Sequence, residues 1–400
     1  MNHTMTGDDI THLEKTDINQ SIRYHYMDNL RALAMLTGIF FHAALAYSPI
    51  MDNLWLSADK ENSLILDVIA WFTHMFRMPL FFVIAGFFAF LLIEKRGLRE
   101  FLKNRGKRIL APFLLFLPLV LIAIMGTIFW AATNVENPSP FLQFFVAISN
   151  NPDIPKPPFS TTHLWFLFNL CLFCLTIAFL MRFRLLNGLF NGKFLTPKFI
   201  VFIMPLLLVP ALYSQVTPHP APERIYPELW SFGFYGMFFL LGCAFYQKKE
   251  LMDELKKYWM WMFFASLVGY GYFYYELPGT ITFEDIMKAA NGIEHSWKHL
   301  LIVTIEAYVG VYLSICSLIV GRLFLDKENK IVRFVADSSY WVYIVHLPLL
   351  FFIQYLLLDV SWNIWVKFFV GSFGTLAIGL VSYILLVRWT PIGWLLNGRK

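Results

Sequence analysis

Residues 64–93 read LILDVIAWFTHMFRMPLFFVIAGFFAFLLI, thirty positions in which only Asp67 and Arg77 carry a formal charge. A helix of about 20 apolar residues already crosses the hydrocarbon layer of a bilayer. Directly after this run comes 94–108, which holds seven cations: Lys95, Arg96, Arg99, Lys103, Arg105, Lys107 and Arg108. An apolar run of membrane length that abuts a cationic stretch marks a span ending on the cytoplasmic side.

The rest of the chain repeats the pattern. Its 400 residues are 58% hydrophobic and only 15% charged, more apolar surface than a soluble core can hide. Segments 30–50, 64–93, 109–132, 163–181, 199–213, 229–246, 258–275, 299–320, 334–358 and 364–387 predict an all-α, polytopic membrane bundle of about ten transmembrane helices. The fifth is short and carries Pro205 and Pro210, so it is expected to be broken or tilted.

The connections alternate in charge. Stretches 94–108, 182–198, 247–257, 321–333 and 388–400 are rich in Lys and Arg, whereas 51–63, 133–162, 214–228, 276–298 and 359–363 hold two at most. That alternation places both termini in the cytoplasm. The net charge of +5 is then an orientation signal that can also meet anionic lipid, and it implies no nucleic-acid partner.

One membrane domain, 30–387, is expected between a polar cytoplasmic tail, 1–29, which has no apolar core of a signal peptide, and a short basic cytoplasmic tail, 388–400. Cys171 and Cys174 lack a second ligand pair, so they read as small packing residues and no metal site is expected. The proline-rich outward stretches 137–158 and 218–227 are expected to be extended and stiff, as a rim over an outward cavity or as plain connectors. Stretch 276–298 is expected to lie along the interface.

Ionisable side chains inside the spans ask for a reason, since each costs roughly 2.5–3.5 kcal/mol at mid-bilayer. Arg31 and His42 are eleven positions apart, which leaves them about 20° apart on one helix face and roughly 16 Å apart along the axis. Arg31 then sits at the cytoplasmic mouth and His42 near mid-depth. A lone histidine on an apolar helix is ordinarily a packing residue, but an imidazole below an entrance arginine can take a proton from an attacking hydroxyl or carry an acyl group itself.

Asp67, His74 and Arg77 line one face of the second span. Arg77 is either an anion-binding group or one half of an interhelical ion pair with Asp67 or Glu306. Pro79 frees a backbone carbonyl and Gly86 permits close helix approach. Arg105 and Arg108, three apart at a helix end, can grip phosphate or pyrophosphate with their planar forks. His163 and Trp165 open the fourth span at the outward surface, as site residues or interface anchors. His346 is expected at the depth of His42, in a shared cavity or in packing.

These motifs resemble acyltransferase family 3. Arg31 followed after ten residues by His42 is similar to that family's Arg-x10-His signature, Arg105-x-x-Arg108 to its Arg-x-x-Arg, and residues 81–87, FFVIAGF, to its Phe-Phe-x-x-Ser-Gly-Phe. His74-x-x-Arg77-Met78, His163-Leu164-Trp165-Phe166-Leu167 and Tyr343-x-x-His346-x-Pro348 resemble its glucans biosynthesis protein C branch. Ala85 stands where the family usually has Ser, and Leu347 follows His346 where a second His is expected.

The resemblance implies a multi-pass protein of a bacterial inner membrane. It would move an acyl group, succinyl or else acetyl, from cytoplasmic succinyl-CoA or acetyl-CoA to a hydroxyl of a periplasmic or cell-surface glucan. His42, Arg31, Arg77, His74 and His346 would form the catalytic site, Arg105 and Arg108 would hold the acyl-CoA, and His163 and Trp165 would face the acceptor. The alternatives are a secondary transporter or flippase that uses the same intramembrane His, Arg and Asp, and a scaffold without chemistry; a homo-oligomer is also open.

Overall fold

The computed structural model describes residues 24–149, 159–185 and 195–397. Ten helices carry the architecture: α1 (His25–Tyr47), α2 (Leu64–Arg105), α3 (Ala111–Asn134), α4 (Thr162–Arg182), α5 (Phe199–Tyr213), α6 (Leu229–Gln247), α7 (Trp259–Glu276), α8 (Trp297–Phe324), α9 (Lys330–Leu358) and α10 (Ile364–Val387). They coincide with the ten predicted segments. Among the described residues there is no strand, only the isolated bridge between Ser160 and Arg224.

Among the described residues, seven continuous helices are long and apolar enough to cross a membrane, one of them the 71-residue run Leu64–Asn134 that joins α2 to α3. Helices α5 and α7 fall outside that set, so the about ten expected spans resolve into seven continuous apolar helices covering eight segments, and two shorter ones. The exposed apolar side chains of α3, among them Leu114, Leu119, Ile122 and Phe129, are what a lipid-facing helix presents.

Several boundaries differ from expectation, each for a local reason. The first helix begins at His25, inside the stretch read as a polar tail. The basic stretch 94–105 is not a loop: it continues α2 beyond a kink at Gly97, whose φ of 78° suits glycine, because Lys, Arg, Glu and Leu there all favour helix. A five-residue π turn, Gly106–Leu110, then leads directly into α3. In the outward proline-rich stretch, Pro140–Ser149 is helical rather than extended; Pro140 occupies a first position that needs no N–H, and the Ser139 hydroxyl accepts from the Leu142 amide. Pro391 likewise opens a short helix, Pro391–Asn397, in the C-terminal tail. The expectations for 1–23, for Pro152, Pro155, Lys156, Pro157 and Pro158, for Lys193 and for 398–400 lie outside the described residues.

Helix α1 packs against α2, α8, α9 and α10, which bury ten of the twenty residues from His25 to Ala44 and leave Leu33 exposed. The tightest crossing is between α2 and α6. A Cβ on Gly86 would lie 1.9 Å from the Phe239 carbonyl oxygen, and one on Gly242 would lie 1.9 Å from that of Val83. The two backbones touch, as the sequence position of Gly86 predicts, and Cys243 Sγ closes the contact on the Gly86 carbonyl at 3.4 Å. The carbonyl of Met75, released by Pro79 four residues on, faces Gly310 of α8, where a Cβ would stand only 3.2 Å away.

On the outward side, residues 48–63 fold into the bundle. Lys367 Nζ donates to Asp59 Oδ2 at 2.7 Å with both side chains buried, and Gln354 accepts from the Ser57 hydroxyl while donating to the Ala43 carbonyl.

Two outcomes test this packing. Gly242→Ala forces the α2 and α6 backbones apart and lowers unfolding stability in detergent by about 3 kcal/mol, whereas Gly126→Ala, which meets nothing, leaves it equal or slightly raised. Lys367→Met strands the Asp59 carboxylate and costs about 3–5 kcal/mol in the same thermal or denaturant assay.

Candidate active site

The mid-bundle polar residues converge. The His42 ring of α1 lies 5.4 Å from that of His346 on α9, which in turn lies 4.8 Å from that of His163 at the start of α4. On its other side His42 stacks nearly parallel on Trp55 of the outward loop, at 5.8 Å. His74 stacks on Phe41 at 5.4 Å, and the Arg77 guanidinium lies 4.4 Å above the same Phe41 ring. The ionisable groups that act on His42 are His346, Arg77, His163 and His74.

Proline chemistry decides which nitrogens remain open. Pro348 removes the amide that would have bonded the Ile344 carbonyl, and His163 Nε2 reaches that carbonyl at 3.1 Å. A carbonyl only accepts, so Nε2 is the protonated nitrogen and Nδ1 is left to accept from the Thr162 hydroxyl at 3.5 Å. The Tyr343 hydroxyl donates to the His163 carbonyl at 2.5 Å. Both His163 nitrogens are thus engaged, and the residue is buried within the cluster rather than on the outward rim.

His346 differs. Its Nδ1 donates to the Tyr343 carbonyl at 2.6 Å, so its Nε2 carries a lone pair, and that atom is buried without a partner. His42 Nδ1 is likewise buried without a partner. Two adjacent imidazoles therefore present open ring nitrogens, the arrangement that proton transfer to and from a reacting oxygen requires. Among the described residues no group of His, Cys, Asp or Glu converges as a metal site.

The ion-pair alternative for Arg77 is not what forms. Asp67 is taken by the Ser48 hydroxyl, Trp71 Nε1 at 3.0 Å and the Tyr274 hydroxyl at 2.5 Å. Glu306 pairs with His219 Nδ1, whose Nε2 accepts from the Tyr235 hydroxyl at 3.0 Å. His219 arrives from the proline-rich outward stretch 214–228, and its ring lies 5.0 Å from His74. Sequence reasoning missed His219, Tyr235 and Trp55. The signal for His219 was Glu306 itself, because a carboxylate in the middle of an apolar helix demands a buried donor. Trp165 packs beside Tyr235 with ring centroids 5.1 Å apart, buried rather than at an interface.

At the cytoplasmic end, Arg105 precedes the π turn and Arg108 lies within it, an irregularity frequent at functional sites. Arg105 lies 5.5 Å over the Phe101 ring with its Nε buried and unpartnered, and Arg31 and Arg108 are the charged groups that act on it. Arg108 donates to the Leu396 carbonyl at 3.1 Å, while its own carbonyl accepts from the Tyr340 hydroxyl at 2.9 Å. Arg31 keeps a loose, half-exposed pairing with Asp28 at 3.5 Å. The result is a cationic mouth, joined to the histidine cluster by α9, on which Tyr340 and His346 are about 9 Å apart along the axis.

The Pro348 arrangement gives a direct test. His163→Phe orphans the Ile344 carbonyl and costs about 1–3 kcal/mol, and adding Pro348→Ala restores an amide donor, so the double variant is more stable than His163→Phe alone in a thermal double-mutant cycle.

Comparison with known proteins agrees with this chemistry. Over 395 residues, 94% of this chain and 95% of the relative, the sequence is 25% identical to Glucans biosynthesis protein C of Escherichia coli (strain SMS-3-5 / SECEC), and 24% identical with the same coverage to that of Escherichia coli (strain K12). No solved structure matches. Residues 24–384 match the family described as "Acyltransferase domain", which takes in α1 and its histidine, the arginine mouth and the α9 histidine; the chain is a membrane acyltransferase of that family.

Proposed function

We propose that the protein transfers an acyl group, succinyl in the first instance and acetyl as the alternative, from cytoplasmic acyl-CoA to a hydroxyl of a glucan on the outward side of a bacterial inner membrane. The carrying observation is the pair of adjacent, buried imidazoles, His42 and His346, whose open nitrogens lie between a cationic cytoplasmic mouth and an outward loop.

Each part has a physical role. Arg105 and Arg108, with Arg31 beside them, bind the phosphates of the coenzyme, which brings the thioester inward along α1 and α9. His42 removes the proton of the acceptor hydroxyl as its oxygen attacks the thioester carbonyl. The C–O bond forms, the C–S bond breaks, and the proton passes through the imidazole to the departing thiolate. In the covalent variant of this route, His42 first takes the acyl group itself and then yields it to the hydroxyl. His346 is the second imidazole in reach of that proton, its Nδ1 fixed on the Tyr343 carbonyl. Arg77 and His74 line the site around the Phe41 ring. The acceptor sugar enters past Trp55 and the outward proline-rich stretches, and His163 and Trp165 shape that side from within the bundle.

His42→Ala and Arg105→Ala, at normal membrane levels, are expected to lower acyl modification by at least about 10²-fold, read by mass spectrometry of periplasmic and cell-surface glucans. Unchanged glucan esters in either variant would sink the assignment.

A further inference from the structure

Arg77 is a buried guanidinium without an anion. Its side chain is 6% exposed, its Nε has no partner, and no ion pair or hydrogen bond joins it to any described residue. Of the two carboxylates that sequence would offer it, Asp67 is bonded to Ser48, Trp71 and Tyr274, and Glu306 is bonded through Oε1 to His219, its Oε2 buried and also without a bond to Arg77. Beside it stand the Phe41 ring at 4.4 Å and Gly38, where a Cβ would lie 3.0 Å from Nη1, and the ionisable groups it interacts with are Tyr235, Tyr343, His42, His74 and His346, none of them a carboxylate. An uncompensated charge in such a place is strongly unfavourable, so the residue makes physical sense when a ligand brings the counter-charge.

The position says what the ligand must be. Arg77 meets α1 at Gly38, one turn and about 6 Å along the axis from His42, on the side from which a cytoplasmic donor arrives. The phosphates of a coenzyme have their own cations at the mouth. From a thioester carbonyl held at His42, three single bonds across two methylenes carry a second carboxyl carbon about 4 Å away, and a guanidinium–carboxylate contact of about 2.8 Å completes the distance.

We propose that Arg77 is a receptor for the terminal carboxylate of the acyl group, so that the protein selects the thioester of a short dicarboxylic acid over that of a simple carboxylic acid. This rests on the acyl-CoA reading above. Gly38 lets the guanidinium lie against α1, where a Cβ would crowd Nη1. A methyl group leaves the guanidinium unmet, one methylene falls short of it, and three overshoot. The carboxylate is a spectator in the transfer: the bonds made and broken are those already given, and its charge is the same in donor and ester.

The test compares acetyl-, malonyl-, succinyl- and glutaryl-CoA with the full-length protein in lipid nanodiscs and a linear glucan acceptor, products being read by mass. The wild type is expected to prefer succinyl-CoA over acetyl-CoA by at least 100-fold in kcat/KM, with malonyl and glutaryl between. Arg77→Gln is expected to lose more than 100-fold with succinyl-CoA and less than tenfold with acetyl-CoA, which erases the preference. Equal losses with both donors would assign Arg77 to the carbonyl they share and overturn the proposal, as would a wild type indifferent to the carboxylate. A wild type that uses no donor would sink the acyl-CoA reading as well. Thermal stability separates misfolding from function: ligand-free Arg77→Met is expected to melt no lower than the wild type, and a lower midpoint would reveal a structural partner for Arg77 and overturn the proposal too.

Discussion

The backbone contact between Gly86 and Gly242 sets the geometry on which the site depends. With carbonyls of Val83 and Phe239 already where a Cβ would be, α2 and α6 can neither slide nor rotate without collision. That crossing fixes the rotation of α2. Nine to twelve residues outward along the same helix, it points Met75, His74 and Arg77 at α8 and α1, and it holds Tyr235 of α6 within reach of His219. In a lipid solvent, association gains little from burying apolar area, so close backbone approach carries a larger share of the specificity than it would in water.

A second constraint acts on single atoms. A carbonyl freed by proline inside an apolar bundle has no water to turn to, and both interior prolines of this region are answered by a neighbouring helix. Met75 faces Gly310, and Ile344 takes its hydrogen bond from His163. The second answer has a chemical consequence, since it fixes the tautomer of His163. The Tyr343 carbonyl fixes that of His346 in the same way. Backbone carbonyls thus decide the tautomers of both imidazoles, one freed by Pro348 and one using its second lone pair.

The membrane class, the ten helical segments and the charged residues worth following were legible because hydrophobic length and cation alternation are one-dimensional signals. Gly86 was legible as a close-approach residue for the same reason. The helical continuation of 94–105 was not, because cations that end a span in one helix can equally ride its extension past a glycine kink. His163 read as a surface residue from its place at a span's end, but α9 covers it with Tyr343, Ile344 and His346. His219 and Trp55 were invisible for a related reason: each comes from a connection, and nothing in spacing along the chain says that a connection returns to mid-bundle. Arg77 was legible as an intramembrane charge, but its lack of a partner could emerge only once Asp67 and Glu306 were seen bonded elsewhere.

The division of charge follows from what acyl transfer asks of a protein. The proposed reaction moves no net proton, because the one lost by the hydroxyl would end on the thiolate. The histidines therefore need contact with each other and with substrate but not with bulk water, which suits a pair buried at mid-depth. Excluding water also protects a thioester from hydrolysis and strengthens each electrostatic contact made to the reacting carbonyl. Charge that must stay ionised throughout is placed where it can be met: in the proposed route the arginines assigned to phosphate, Arg105 and Arg108, stand at the mouth, while Arg77 stands deep, where the proposed acyl carboxylate would reach it.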